Sequence, residues 1–166
     1  SSKEIKINVK ALPNNEPKNF NGTVGNYTIS SSVDKFSLKT NEAVTYKIKL
    51  TGTGNIDLIE PFKINFPSDF EVYDPKIQDR VFQGGNKRST KTFEYLLIPR
   101  VVGNYKIPKY SFSFFNPKSK KFENKATEAY SIQVLKGNNE EYQASNTQQI
   151  IKQNIKDINY IKVKIH

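Results

Sequence analysis

The segment Val44-Thr45-Tyr46-Lys47-Ile48-Lys49-Leu50 alternates apolar and polar side chains without a break. Successive side chains of an extended chain point to opposite faces, so this alternation predicts a β-strand with one buried face. The same period of two recurs in residues 93–97, 110–114 and 130–134. We therefore expect several strands whose aromatic and aliphatic faces turn towards a common core.

Seven strands are expected, separated by turn sequences such as Gly52-Thr53-Gly54 and Asn116-Pro117-Lys118. They cover residues 26–33, 44–51, 56–64, 70–73, 91–99, 104–115 and 128–135. Pro108 cannot donate to a sheet ladder, so it should mark a bulge or a switch between sheets. This pattern predicts an all-β fold, an immunoglobulin-like antiparallel β-sandwich. The chain contains neither cysteine nor tryptophan, so its aromatic residues must replace the usual pin between the two sheets.

The polar, breaker-rich stretch 14–19 suggests a boundary near the beginning of the chain. Ile5, Ile7 and Val9 alternate with polar residues, so residues 1–15 are expected to be the last strand of a preceding module plus a linker. Residues 16–137 are expected to form the sandwich. Residues 138–166 change in character and are interpreted as a C-terminal extension, or as the start of another module.

The net charge of +10 invites a nucleic-acid interpretation, which the composition does not favour. Only three of the 26 basic residues are arginine, the residue preferred for bidentate phosphate and base contacts. Most lysines occupy outward positions of the expected strands, where they keep sheet edges soluble. No run of about 18 apolar residues is present. Membrane attachment is therefore expected only through an anchor outside this sequence.

Catalytic residue types are scarce. The one histidine, His166, is the last residue, and without cysteine the usual nucleophile–base pairs cannot form. Five acids, namely Glu60, Asp69, Glu71, Asp74 and Asp79, could in principle supply a glycosidase pair or ligate calcium. Acids beside proline and serine are more typical of turns. We therefore expect no enzyme activity, cofactor or metal.

Two expected loops contain residue types that can bind phosphate or nucleic acid. Residues 84–89 have the glycines of a phosphate loop but not its spacing, and they are interpreted as a hairpin tip. The basic run 118–125 includes Phe122, and interleaved aromatic and basic residues can stack single-stranded bases. Because it follows Asn116-Pro117, this run is interpreted as a hairpin loop.

Longer segments are more specific than these motifs. They are Glu60–Lys76 with its Phe66-Pro67-Ser68-Asp69-Phe70 core, Lys91–Arg100, Gly103–Pro108 and Phe112–Pro117. In this order and spacing they resemble the BatD family, the oxygen-tolerance proteins of the Bacteroides aerotolerance operons. The resemblance covers most of residues 4–137. It implies a periplasmic or envelope protein with several β-sandwich modules and a membrane anchor near its C-terminal end, and it carries over no catalytic residue.

The resemblance also implies partners, because the operon neighbours of this family include von Willebrand type A domain proteins. Such domains often bind through a metal whose open position accepts a partner carboxylate. Asp74 and Asp79, in an unusually long connection over residues 74–90, are the expected partner contacts. The predicted function is a non-catalytic envelope interaction module that makes protein–protein contacts. The alternative is a carbohydrate-binding β-sandwich module, which a row of solvent-facing Tyr or Phe would favour.

Overall fold

The computed structural model describes residues 9–82 and 87–137, and most of these residues lie in β-strands. A single turn of 3-10 helix, Ile56–Leu58, lies between the third and fourth strands. The ten strands are β1 (Phe20–Val33), β2 (Ser37–Lys39), β3 (Val44–Gly54), β4 (Phe70–Val72), β5 (Lys76–Phe82), β6 (Arg88–Pro99), β7 (Gly103–Ile107), β8 (Ser111–Asn116), β9 (Lys121–Ala126) and β10 (Tyr130–Leu135).

The strands form a seven-stranded sheet and a three-stranded sheet. The larger sheet has the order β4-β6-β3-β1-β8-β9, with β5 also paired to β6, and the smaller has the order β2-β10-β7. The long strand β1 curls the larger sheet because its two parts have different partners. Phe20 and Val24 pair with β8 in parallel, whereas the part from Gly25 onward pairs with β3 in antiparallel. The predicted all-β sandwich is confirmed, with β1/β8 and β2/β10 as parallel ladders among antiparallel ones.

Two strand pairs form one long hairpin that links both sheets. β7 and β8 run against β10 and β9 in a single register, from Gly103 opposite Val134 to Asn116 opposite Lys121. Between them Pro108 has no amide proton to give. Tyr110 and Thr127 continue the pairing through bonds of 2.8 and 2.9 Å. The predicted switch between sheets at Pro108 is confirmed, since β7 belongs to the smaller sheet and β8 to the larger.

The expectation of a strand over residues 56–64 is wrong. This segment makes the 3-10 turn and then an irregular path that inserts Ile56, Ile59 and Phe62 into the core. These apolar residues are spaced by three, which a two-residue strand period cannot place on one face. The segment therefore contributes apolar side chains to the core and does not pair as a strand.

Three strands were not expected, namely β2, β5 and β9. All seven residues of β5 are exposed, and none of the six residues of β9 is fully buried. A strand without a buried face has no reason to alternate apolar with polar residues. Their hydrogen-bonded neighbours, and not their own hydrophobic pattern, hold them in the sheets.

Aromatic side chains fill the core in place of the missing cysteines and tryptophan. Tyr46, Phe93 and Phe112 are 0 to 2% exposed, as the strand pattern predicts. The ring of Phe62 lies 5.2 Å from that of Phe93 and 5.4 Å from that of Phe112, and so links β6 with β8, which are not neighbours in the larger sheet. Edge-to-face and tilted contacts of this kind add to the stabilisation from apolar burial.

Three glycines leave the space that the buried side chain of Tyr27 fills. A methyl group added at Gly25, Gly52 or Gly54 would come within 2.5 to 2.7 Å of the Tyr27 side chain and still closer to backbone oxygens. The hydroxyl of Tyr27 donates to the Val24 carbonyl at 3.1 Å. Desolvation by burial raises the pKa of Tyr27 to about 12. The glycines in these motifs thus have a steric role in the fold.

The expected segments at the two ends lie largely outside the described residues. Residues 1–8 and 138–166 are not described, so the preceding strand and the C-terminal extension stay predictions. Residues 83–86, at the expected hairpin tip, also lie outside the described part.

Candidate functional site

The strand β5 forms an exposed edge of the larger sheet. β4 and β5 both pair with β6, β4 near Pro99 and β5 from Glu94 to Arg88. No strand of the described part pairs with the other side of β5. An edge strand presents unpaired backbone N–H and C=O groups, which can accept another strand. We call residues 72–82 the β5 edge surface.

Large apolar side chains on this surface are open to solvent. Val81 is 65% exposed and Phe82 is 52% exposed. Val72, Tyr73 and Ile77 are 43 to 45% exposed. β5 also carries Lys76, Asp79 and Arg80, and charges of this kind discourage indiscriminate pairing at a sheet edge. Large exposed apolar residues among these charges indicate a candidate interaction surface.

The two faces of β5 differ in chemistry. Ile77 pairs in register with Phe93, and Asp79 with Lys91, so both lie on the core-facing side of the sheet. Lys76, Gln78 and Arg80 lie on the outer side. An added strand would therefore meet apolar groups and one carboxylate on the inner side, and polar or basic groups on the outer side.

A buried lysine lies opposite Asp79 in the pairing of β5 with β6, and it was not expected from the sequence. Lys91 is 6% exposed on the core-facing side of β6. Its ammonium donates to the carbonyls of Ile56 and Asp57, at 3.5 and 3.2 Å, and lies 5.9 Å from the Phe93 ring centroid. It therefore caps the carbonyls of the 3-10 turn. Its sequence signal is its place in the period of two that continues through buried Phe93, Tyr95 and Leu97.

The structure separates the two predicted contact residues. Asp74 lies in the short connection between β4 and β5, whereas Asp79 lies in the middle of β5. Both are exposed. The expectation of a long loop over residues 74–90 is wrong, because most of it is the hairpin of β5 and β6. Strand pairing thus fixes the position of Asp79, which a loop would leave free.

Other candidate acids are engaged in structural contacts. Glu71 forms an ion pair with Arg100, and this guanidinium, aided by the Tyr73 hydroxyl, lowers the pKa of the Glu71 carboxyl. Asp69 accepts a hydrogen bond of 3.0 Å from Tyr105. Glu71 thus links β4 to the turn after β6, and Asp69 links the turn before β4 to β7. Across residues 9–82 and 87–137, no three acidic or histidine side chains converge to hold a metal.

Within residues 9–82 and 87–137, the exposed aromatic side chains do not form the row expected of a carbohydrate-binding module. Phe36, between β1 and β2, is 59% exposed, whereas Tyr73 precedes β5 and Phe82 ends it. Phe20, Phe115 and Phe122 pack together at ring distances of 5.0 and 5.2 Å.

The basic run 118–125 is not a loop, contrary to the expectation. Residues 121–126 form β9, and only residues 117–120 make the turn. Phe122 packs against Phe20 and Phe115 and is only partly exposed, which withdraws its ring from base stacking. Of the expected hairpin tip, Lys87 and Arg88 are described and both are exposed.

Comparison with known proteins gives one match. The model of the BatD DUF11 like domain matches residues 31–134, more than half of the chain, from the second part of β1 to β10. No curated protein and no solved structure matches. Among the described residues no helix is long and apolar enough to cross a bilayer. The matched range contains the aromatic core, the long hairpin and the β5 edge surface, and on this ground the chain belongs to the BatD family.

Proposed function

We propose that this domain is a non-catalytic interaction module of an envelope protein and binds a protein partner through the β5 edge surface. The family is envelope-associated and is not known to be catalytic. The observation that carries the proposal is β5, a seven-residue edge strand with no buried residue and several exposed apolar side chains. The partner supplies an extended segment that pairs with β5 and covers Ile77 and Val81.

Asp74 and Asp79 extend this proposal to a class of partner. Neither carboxylate has a hydrogen bond or ion pair within the described part of the chain. A von Willebrand type A domain holds a metal ion that accepts a carboxylate from its partner. Asp79 on the rigid strand, or Asp74 beside it, supplies that carboxylate while the added strand pairs with β5.

The experiment uses the full-length protein, purified from membranes of its source organism together with whatever binds it. The test variant is Ile77→Lys with Val81→Lys, which places two charges on the inner side of β5. The control is Val101→Lys with Val102→Lys, since both valines are 50% exposed in the turn after β6. We expect the amount of co-purified partner to fall at least about tenfold with the test variant, because burying an unpaired ammonium is costly. With the control variant we expect that amount to be unchanged.

A separate variant, Asp74→Asn with Asp79→Asn, tests the carboxylate. We expect it to reduce binding of a type A domain protein to the level seen after removal of divalent metal with EDTA. Equal recovery of the partner with the lysine test variant would overturn the use of the β5 edge surface. Recovery that is insensitive to both the asparagine variant and EDTA would overturn the metal-bridged contact alone.

A further inference from the structure

A basic groove lies on the larger sheet, away from the aromatic core. It has a volume of about 880 Å³ and crosses the end of the sheet from β6, over β3 and β1, to the turn between β8 and β9. Lys87 and Arg88 line one side and Lys118 the other, with Asn26 and Thr53 between them. Lys87 and Arg88 belong to the expected hairpin tip over residues 84–89, and Lys118 belongs to the basic run 118–125. The fold brings them to a single groove.

The charges of this groove are not neutralised within the described part of the chain. No aspartate or glutamate lines it. The ion pairs of the described residues are Lys35–Glu42, Lys47–Glu94 and Arg100–Glu71, all of which lie elsewhere. Converging cations without counter-charges create a positive potential that attracts anions.

The position of Lys118 is fixed by its turn. Its backbone N–H donates to the Asn116 side chain at 3.0 Å, and Asn116 in turn donates to Glu123 at 2.8 Å. Ser119 donates to the same carboxylate at 3.0 Å. These bonds hold the backbone of the turn at the edge of the groove and do not engage the Lys118 ammonium, which stays available to a ligand.

The floor of the groove is flat and polar. On this outer face β1 contributes Asn26 and Thr28 and β3 contributes Thr51 and Thr53. Within the described residues, the side-chain amide of Asn26 and the hydroxyl of Thr53 make no internal hydrogen bond. Hydrogen-bonding groups beside cations suit phosphoryl oxygens, which accept charge-assisted bonds. No aromatic side chain lines the groove, so it offers no platform for stacking bases.

We propose that this groove binds phosphoryl groups of an anionic envelope component, either a phosphorylated glycan or a lipid headgroup. Lys87, Arg88 and Lys118 provide the charge, and Asn26 and Thr53 provide neutral donors to the phosphoryl oxygens. The volume of about 880 Å³ is large enough for a ligand that carries more than one phosphoryl group.

The test measures binding of tripolyphosphate to the whole chain by calorimetry, at several salt concentrations. Vesicles with and without phosphatidylglycerol are tested by co-sedimentation. The test variant is K87Q/R88Q/K118Q. The control is K63Q/K106Q/K109Q, which removes the same charge from exposed lysines outside the groove. We expect the test variant to weaken tripolyphosphate binding at least about tenfold and to flatten its salt dependence, and the control to change it less than about threefold.

The two probes distinguish the source of the phosphoryl group. Loss of both tripolyphosphate and vesicle binding in the test variant supports a lipid headgroup, and loss of tripolyphosphate binding alone supports a soluble phosphorylated glycan. Equal weakening in the control would show attraction to net charge only and would overturn the proposal. Absence of tripolyphosphate binding to the unmodified chain would also overturn it. Because the groove does not include the β5 edge surface, either proposal can fail without the other.

Discussion

Two buried tyrosines that face each other across β3 and β6 should respond in opposite ways to the same substitution. Tyr46 pairs in register with Tyr95, and their ring centroids are 6.2 Å apart. The hydroxyl of Tyr95 donates to the Phe62 carbonyl at 2.7 Å. The Tyr46 hydroxyl is the buried side-chain atom of the described residues that has no hydrogen-bond partner.

The surroundings of Tyr46 explain why its hydroxyl is unpaired. Burial raises its pKa, and the side chains of Ser31 and Thr127 oppose that rise, yet neither makes a hydrogen bond of good geometry to it. The Ser31 hydroxyl contacts the Tyr130 hydroxyl at 3.0 Å. The Thr127 hydroxyl accepts the Tyr110 amide at 2.8 Å. Both are engaged by the hairpin, and Tyr46 keeps its hydroxyl desolvated without compensation.

The magnitudes follow from this difference. Tyr95→Phe removes a buried hydrogen bond and leaves the Phe62 carbonyl unpaired, which should lower the free energy of unfolding by about 2 kcal/mol. Tyr46→Phe removes only an unpaired group and keeps the ring contacts, so it should raise the free energy of unfolding by up to about 1 kcal/mol. The expected gap between the two variants is therefore roughly 2 to 3 kcal/mol.

Urea unfolding monitored by far-UV circular dichroism measures both variants, with the slope of the transition as a check that the unfolded states are comparable. A Tyr46→Phe variant that loses as much stability as Tyr95→Phe would refute the reasoning. That result would mean that the Tyr46 hydroxyl is hydrogen-bonded in solution, for instance to a buried water.

Three further predictions concern the glycines around Tyr27, the loss of stability at high pH, and the ion pair between Glu71 and Arg100. Gly52→Ala should lower the free energy of unfolding by about 3 kcal/mol or more, because the new methyl group meets the Asn26 carbonyl at 2.2 Å and the Tyr27 ring at 2.5 Å. Gly22→Ala is the control, since its methyl group meets open space at φ +88° and should lower the free energy of unfolding by only about 1 kcal/mol. Urea titrations measure both variants. Since the folded state raises the pKa of Tyr27 from 10 to about 12, it holds that proton more tightly than the unfolded chain. The associated stability is complete below pH 10 and is lost as the pH rises from 10 to 12; absorbance at 295 nm and circular dichroism should then show ionisation of buried tyrosines together with unfolding, and full ionisation of a still folded chain would contradict this. Arg100→Gln should return the lowered pKa of Glu71 towards its ordinary value in a carbon-13 NMR titration, and an unchanged pKa would show that the ion pair is not its main cause.

The alternating residues of β3 show how far local sequence could determine this protein. Val44, Tyr46, Ile48 and Leu50 are all completely buried, while Lys47 and Lys49 between them are exposed. In a strand that is buried on one face, the alternation of apolar and polar side chains reflects which face is buried, so the strand can be predicted from the sequence alone. Pro108 could likewise be interpreted because a missing amide proton has the same consequence in any sheet.

The strand β5 shows where that reasoning stops. Its residues face solvent on both sides, so no period-two pattern distinguishes it from a loop, and only pairing with β6 makes it a strand. The segment with Ile56, Ile59 and Phe62 shows the opposite error. Its apolar residues were expected to form a strand, but they are buried in an irregular segment that does not pair. Hydrophobicity reports burial, and it reports strand geometry only when the spacing is two.

The sequence by itself determined the all-β class, the central strands, the aromatic core and the family, since each is written in local periodicity or in long specific segments. Tertiary structure alone decided that β1 divides between two partners, that Lys91 is buried opposite Asp79, and that Lys87, Arg88 and Lys118 line one groove. These arrangements join residues that are distant in the chain. Their proximity follows from sheet register and curvature, which depend on all strands together and not on any one segment.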